Sequence, residues 1–149
     1  MQLDGIHHIT CITADAPGNV DFYARILGLR LVKKTVNFDD PHSYHLYFGD
    51  ETGSPGSLMT FFEWPRAGQG RLGRGTFESI GLELPSVTAE AIEEDPDGLQ
   101  LRLYPGERPR LHDVVAIPNR DFPPAHDALA LAAITLESLD ELTPQLLAP

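Results

Sequence analysis

A single cysteine in 149 residues, Cys11, excludes an internal disulfide and leaves no Cys-x-x-Cys pair for redox or zinc chemistry. Its place within an apolar strand pattern points to a buried thiol. No apolar run approaches the ~20 residues that a bilayer span needs, so no membrane partner is expected. Positive charge is scarce: 11 Lys and Arg stand against 22 Asp and Glu, for a net charge of -11. The basic residues form no stripe, which argues against nucleic acid or another polyanion as partner. The chain also lacks a phosphate-binding P-loop, a dinucleotide-binding glycine fingerprint and a serine nucleophile elbow. The first strand pattern begins within a few residues of Met1, leaving no room for a secretory leader. Together with the lone thiol, that gives cytoplasmic as the expected location.

What the chain does have is concentrated near its start. Gly5 to Thr13 alternates like a half-buried strand, yet places imidazoles where core aliphatics would stand. Period 2 sets His8, Thr10 and Ile12 on one face and His7, Ile9 and Cys11 on the other. A neutral imidazole on a rigid strand is a common metal ligand and a capable acid or base. Next come Asp15, suited to cap a helix, Pro17, suited to its first turn, and Gly28, suited to its end. Val20, Tyr23, Ile26 and Leu27 fall on one apolar stripe between them. Strands are expected over Arg30 to Phe38, Ser43 to Phe48 and Ser57 to Trp64. In Ser43 to Phe48, alternation pairs His45 with Tyr47 and leaves Tyr44, Leu46 and Phe48 as core. A His two residues from a Tyr is able to protonate an oxygen and hydrogen-bond a phenolate, or to be an ordinary pair of surface residues.

The order βαβββ, the strand His and the run GIHHIT, NVDFYARILGLRLVKKTVNFDDPHSYHLYFGDETGSPGSLMTFFEWP together resemble the vicinal-oxygen-chelate superfamily. That group holds glyoxalase I, bleomycin-resistance proteins and extradiol dioxygenases. The wording is most similar to the hydroquinone-type ring-cleaving dioxygenases, in a shortened form. The likeness is dense from Gly5 to Pro65 and then thins. Residues 1–66 read as one intact module and 67–118 as a linker with an abridged second one. Residues 119–149 look like the opening of a third. Arg66, Arg71 and Arg74 make the linker basic, and a solvated linker is the simpler reading. His42, beside Pro41, reads as solvated; His112 and His126 receive no role.

The resemblance implies an α+β fold of paired βαβββ modules, a curved mixed sheet around a cavity. It implies two His and one Glu around Fe(II), Mn(II) or Zn(II), open to a vicinal-oxygen substrate. His8 falls on the first-strand ligand. The matching place in the second module holds Glu78 and Ser79, and the last-strand carboxylate would fall near Thr60 or Arg102. Glu63 is a further candidate ligand, although its odd offset from Thr60 points it to the opposite face. Thr10 and Thr60 are candidate substrate contacts, with His45 and Tyr47 as catalytic candidates. One chain offers one clear ligand, so a homodimer that brings His8 in twice is expected, with metal affinity falling as imidazole protonates near 6.5. The implied activity is a metal-dependent ring-cleaving dioxygenase-like or glyoxalase-like one. The alternatives are a metal-free sequestering protein of the bleomycin-resistance kind and a catalytically inactive paralogue.

Overall fold

The computed structural model describes residues 5–70, 77–116 and 133–135. Arg71, Arg74, His126 and most of the third-module segment 119–149 lie outside them. Strand β1 (His8–Thr13) leads into a short helix, α1 (Ala16–Val20), which continues as a π-helical turn over Asp21–Ile26. Strands β2 (Arg30–Val36), β3 (Tyr44–Gly49) and β4 (Leu58–Glu63) follow. Then come β5 (Phe77–Leu84), β6 (Ala91–Glu94), β7 (Gln100–Pro105), β8 (Arg110–Ala116) and β9 (Ala133–Thr135). Among the described residues the architecture is α+β, with two mixed sheets and little helix. The first sheet runs β2-β3-β4-β1-β9 and the second β6-β7-β5-β8.

In each sheet the first strand pairs parallel to a later one: β1 with β4, and β5 with β7. A parallel pair needs a crossover. In the first sheet the helix, β2 and β3 supply it. In the second, only β6 and its flanking turns lie between, so that sheet has neither a helix nor a counterpart of β2 among the described residues. The helix of the first module meets both sheets instead. The Tyr23 ring lies 4.7 Å from Phe61 and 5.4 Å from Phe48 between centroids, while its hydroxyl donates to Asp95 Oδ2 at 2.8 Å. The Ser86 hydroxyl donates to the Leu27 carbonyl at 3.1 Å, beside the helix end. One continuous core joins Ile9, Leu46 and Phe61 to Ile80, Leu101 and Leu111. The outer faces of both sheets are thereby left for other work.

Three local expectations change. The π-helical turn closes with the Leu27 amide on the Phe22 carbonyl, five residues back. The wider turn rotates the expected stripe: Phe22, Tyr23 and Leu27 are buried, but Ile26 is 56% exposed. Asp15 makes no side-chain cap; Glu63 Oε1 accepts the Ala16 amide at 3.1 Å in its place. The stretch after Pro105, over which no strand is expected, forms β8 along β5.

Candidate functional site

Alternation along β1, β3 and β4 builds one face of the first sheet. His8, Thr10 and Ile12 on β1 stand opposite Leu58, Thr60 and Phe62 on β4. Tyr47 pairs with Thr60, and His45 with Phe62, on the far side. Residues of the other parity (Ile9, Cys11, Leu46, Phe48, Met59 and Phe61) enter the core with the helix. The face away from the helix therefore carries two imidazoles, a phenol and two hydroxyls.

The groups on this face touch in two sets. The Thr60 hydroxyl donates to Thr10 Oγ1 at 3.0 Å across the β1–β4 pair. The Tyr47 hydroxyl and His45 Nδ1 share a hydrogen bond of 2.8 Å, with the rings 4.2 Å apart. Phe62 closes the other side of the imidazole at 3.9 Å between centroids. Where Tyr47 donates that bond, the neutral ring keeps its proton on Nε2, which is buried and has no hydrogen-bond partner among the described residues. His8 Nδ1 lies 3.1 Å from His7 Nδ1, which leaves Nε2 as its outward nitrogen.

The electrostatics keep all three titratable groups neutral near pH 7. Burial, reinforced by the charge of His7, pushes His8 down to about 4. Burial, then the charges of His8 and Lys33, does the same to His45, also to about 4. Burial pushes Tyr47 up to about 12. Such a face offers imidazole lone pairs to a Lewis acid or a proton, and a phenol proton to an oxygen. The Cys11 thiol, on the core side, is pushed up by burial and by Asp95 and Asp97, and is no nucleophile.

Glu63 is separated from this set. Its carboxylate serves the helix start at Ala16, and Thr13, its partner across the ladder, is fully buried on the core side. The odd offset from Thr60 decides this, and no bulge in β4 reverses it. No cluster of three or more His, Cys, Asp or Glu able to hold a metal occurs among the described residues. The donors among the described residues alone do not fit a three-ligand metal centre.

The corresponding face of the second sheet is closed on itself. Arg102 donates to Ser79 Oγ at 2.9 Å, to the Tyr104 hydroxyl at 3.0 Å and to Asp113 Oδ1 at 2.7 Å. His112 Nδ1 meets Glu83 Oε1 at 2.7 Å. That network pairs Arg102 with Asp113 and ties His112 to Glu83 within the face itself. The first face also holds two residues that sequence reading passed over, Lys33 and Phe62. Phe62 follows from parity with Thr60. Lys33 has no such signal, because its position depends on a β-bulge.

These features define a class: a βαβββ module whose sheet presents, away from its helix, a one-sided imidazole–phenol–hydroxyl site. The chain belongs to the Glyoxalase/Bleomycin resistance protein/Dioxygenase superfamily, whose family model matches residues 5–148. It is 42% identical over 117 residues to the candidate ring-cleaving dioxygenase MhqE of Bacillus subtilis (strain 168), covering 76% of this chain and 39% of that protein. It is 44% identical over 95 residues to the chlorohydroquinone/hydroquinone 1,2-dioxygenase of Sphingobium indicum, covering 62% of this chain and 30% of that protein. Among solved structures, a candidate dioxygenase from Bacillus subtilis superposes with a TM-score of 0.63 at 40% identity, over 71% of this chain and 42% of that one. The chain thus spans less than half the length of these relatives.

Proposed function

We propose that this chain supplies one half of a ring-cleaving dioxygenase-type site, acting on a small aromatic substrate with vicinal or para oxygens. The observation that carries this reading is the gathering of His8, Thr10, His45, Tyr47 and Thr60 on one face of one sheet. His8 offers one imidazole to a divalent ion, Fe(II), Mn(II) or Zn(II), and a second module has to contribute the rest. In the tautomer in which His45 Nδ1–H donates to the Tyr47 oxygen, His45 Nε2 has a lone pair to take a proton from a ring hydroxyl, and the Tyr47 hydroxyl keeps its proton to hydrogen-bond the resulting phenolate. Thr10 and Thr60 line the approach. The chlorohydroquinone/hydroquinone relative favours a hydroquinone over a methylglyoxal-type substrate.

We further propose that the second module comes from a second copy in a cytoplasmic homodimer. The β1 edge away from β4 is already taken by β9, so β1 of one copy does not pair with β1 of the other, and in this reading the copies meet through the first-sheet face. The test is calorimetric titration with Fe(II), Mn(II) and Zn(II) of wild type, His8→Ala and Glu63→Gln. Binding that His8→Ala abolishes and Glu63→Gln retains supports the reading. Equal affinity in wild type and His8→Ala rejects it and leaves a binding protein whose first-sheet face does not use metal.

A further inference from the structure

We propose that Lys33 selects the ligand of the first-sheet face, favouring an aromatic ring that bears an anionic oxygen, either phenolate or carboxylate. The inference deepens the reading of that face as a binding site and rests on it.

The carrying observation is a register shift in β2. Leu31 pairs with Phe48, whose side chain is core, but Lys33 pairs with Tyr47, the next residue back on β3. Two steps on β2 are thus matched by one step on β3, which makes Val32 the extra residue of a β-bulge. In an unbroken ladder Val32 would face Tyr47, and Lys33 would face Leu46 on the core side. The bulge turns the lysine over. Bulges recur beside functional sites because they re-aim a side chain. Here the re-aimed group is an ammonium on an edge strand, half-buried, with Nζ 5.7 Å from the centre of the Tyr47 ring. Its charge also reaches the imidazole of His45 and lowers that ring's proton affinity. In a chain of net charge -11, the bulge thus places a cation beside an imidazole–phenol pair. An aromatic ligand lying on this face with its anionic oxygen toward β2 would meet Lys33, and its ring would lie beside Tyr47 and Phe62.

Calorimetry on the full chain, first with EDTA and then with Mn(II), tests this with 4-hydroxybenzoate and its neutral isostere 4-hydroxybenzamide. Wild type should prefer the anion by about tenfold, the worth of one charge-assisted hydrogen bond. Lys33→Met should erase that preference and leave the amide unchanged, and Lys33→Arg should restore it. Added salt should weaken the anion alone in wild type, a readout that needs no variant. Absorption of bound 4-nitrophenol reports whether a phenolate is also captured, which separates the two oxygen sources. Equal loss of acid and amide in Lys33→Met, or loss of neither, overturns the role of Lys33 and leaves the face as a binding site. Failure of wild type to bind any of the three probes overturns both.

Discussion

The imidazoles of His8 and His45 and the carboxyl of Asp95 set the acid response, and they pull in opposite directions. Both imidazoles are held near 4, below the ordinary 6.5, by burial and neighbouring positive charge. Between those values the unfolded chain binds more protons than the folded one, so each makes stability rise with pH. Asp95 is raised to about 6, by burial first, despite hydrogen bonds from the Leu99 and Asp97 amides and the Tyr23 hydroxyl. Between its ordinary 3.8 and 6 the folded chain binds more protons, so Asp95 makes stability fall as pH rises. Two groups oppose one, and the melting temperature should climb from pH 4 to 6.5. Asp95→Asn should steepen that climb, and His45→Ala should flatten it. Circular dichroism melts of the three proteins across the window decide this, and a flatter profile in Asp95→Asn would contradict the assignment. The parity of His8 with Thr10, and of His45 with Tyr47, is legible in the sequence because side chains alternate strictly along an unbroken strand. Lys33 is not legible, because one inserted residue inverts everything before it.

At the scale of elements, the helix shows where periodicity misleads. A stripe drawn at α-helical spacing includes Ile26; the π-helical turn excludes it and keeps Phe22 and Leu27 together. Ile26→Ala should then cost below about 0.5 kcal/mol, as at an exposed position, whereas Leu27→Ala should cost about 2–5 kcal/mol. Tyr23→Phe removes the donor to a buried carboxyl and should cost about 1–3 kcal/mol. Because that bond ties the helix to the turn between β6 and β7, the loss should fall on the junction between the sheets. Hydrogen exchange at the Leu99 amide, which Asp95 accepts, should report it. Glu63→Ala should cost about 0.5–2 kcal/mol by uncapping Ala16, with metal affinity untouched. Sequence reading expected Asp15 in that capping role because it weighs neighbours in the chain, and Glu63 reaches Ala16 from 47 residues away. β8 was missed for a related reason: its partner β5 is distant in sequence, and its own pattern is broken by bulges against β5.

For the whole molecule, the two outer sheet faces make unequal demands. The second is satisfied by its own Arg102, Asp113, Glu83 and His112. The first holds neutral imidazoles and a phenol, half-buried, and among the described residues lacks the carboxylate and second ligand imidazole of a three-ligand metal centre. If a second copy adds its own His8 to this face, light scattering should give about twice the 16.4 kDa chain mass at micromolar concentration, with one metal per two chains. His8→Ala should abolish the metal while leaving the dimer and the far-ultraviolet spectrum intact, since its ring adds little to the shared core. Acid should release the metal as well, at a pH that identifies the ligand. A free imidazole begins to compete for protons near 6.5, but His8 is held near 4 in the folded chain. Release should therefore set in well below 6.5, and a midpoint at 6.5 would show that His8 does not hold the ion. A monomeric mass with full metal occupancy would exclude the symmetric pairing, because one His8 is then all that the first-sheet face of the chain contributes.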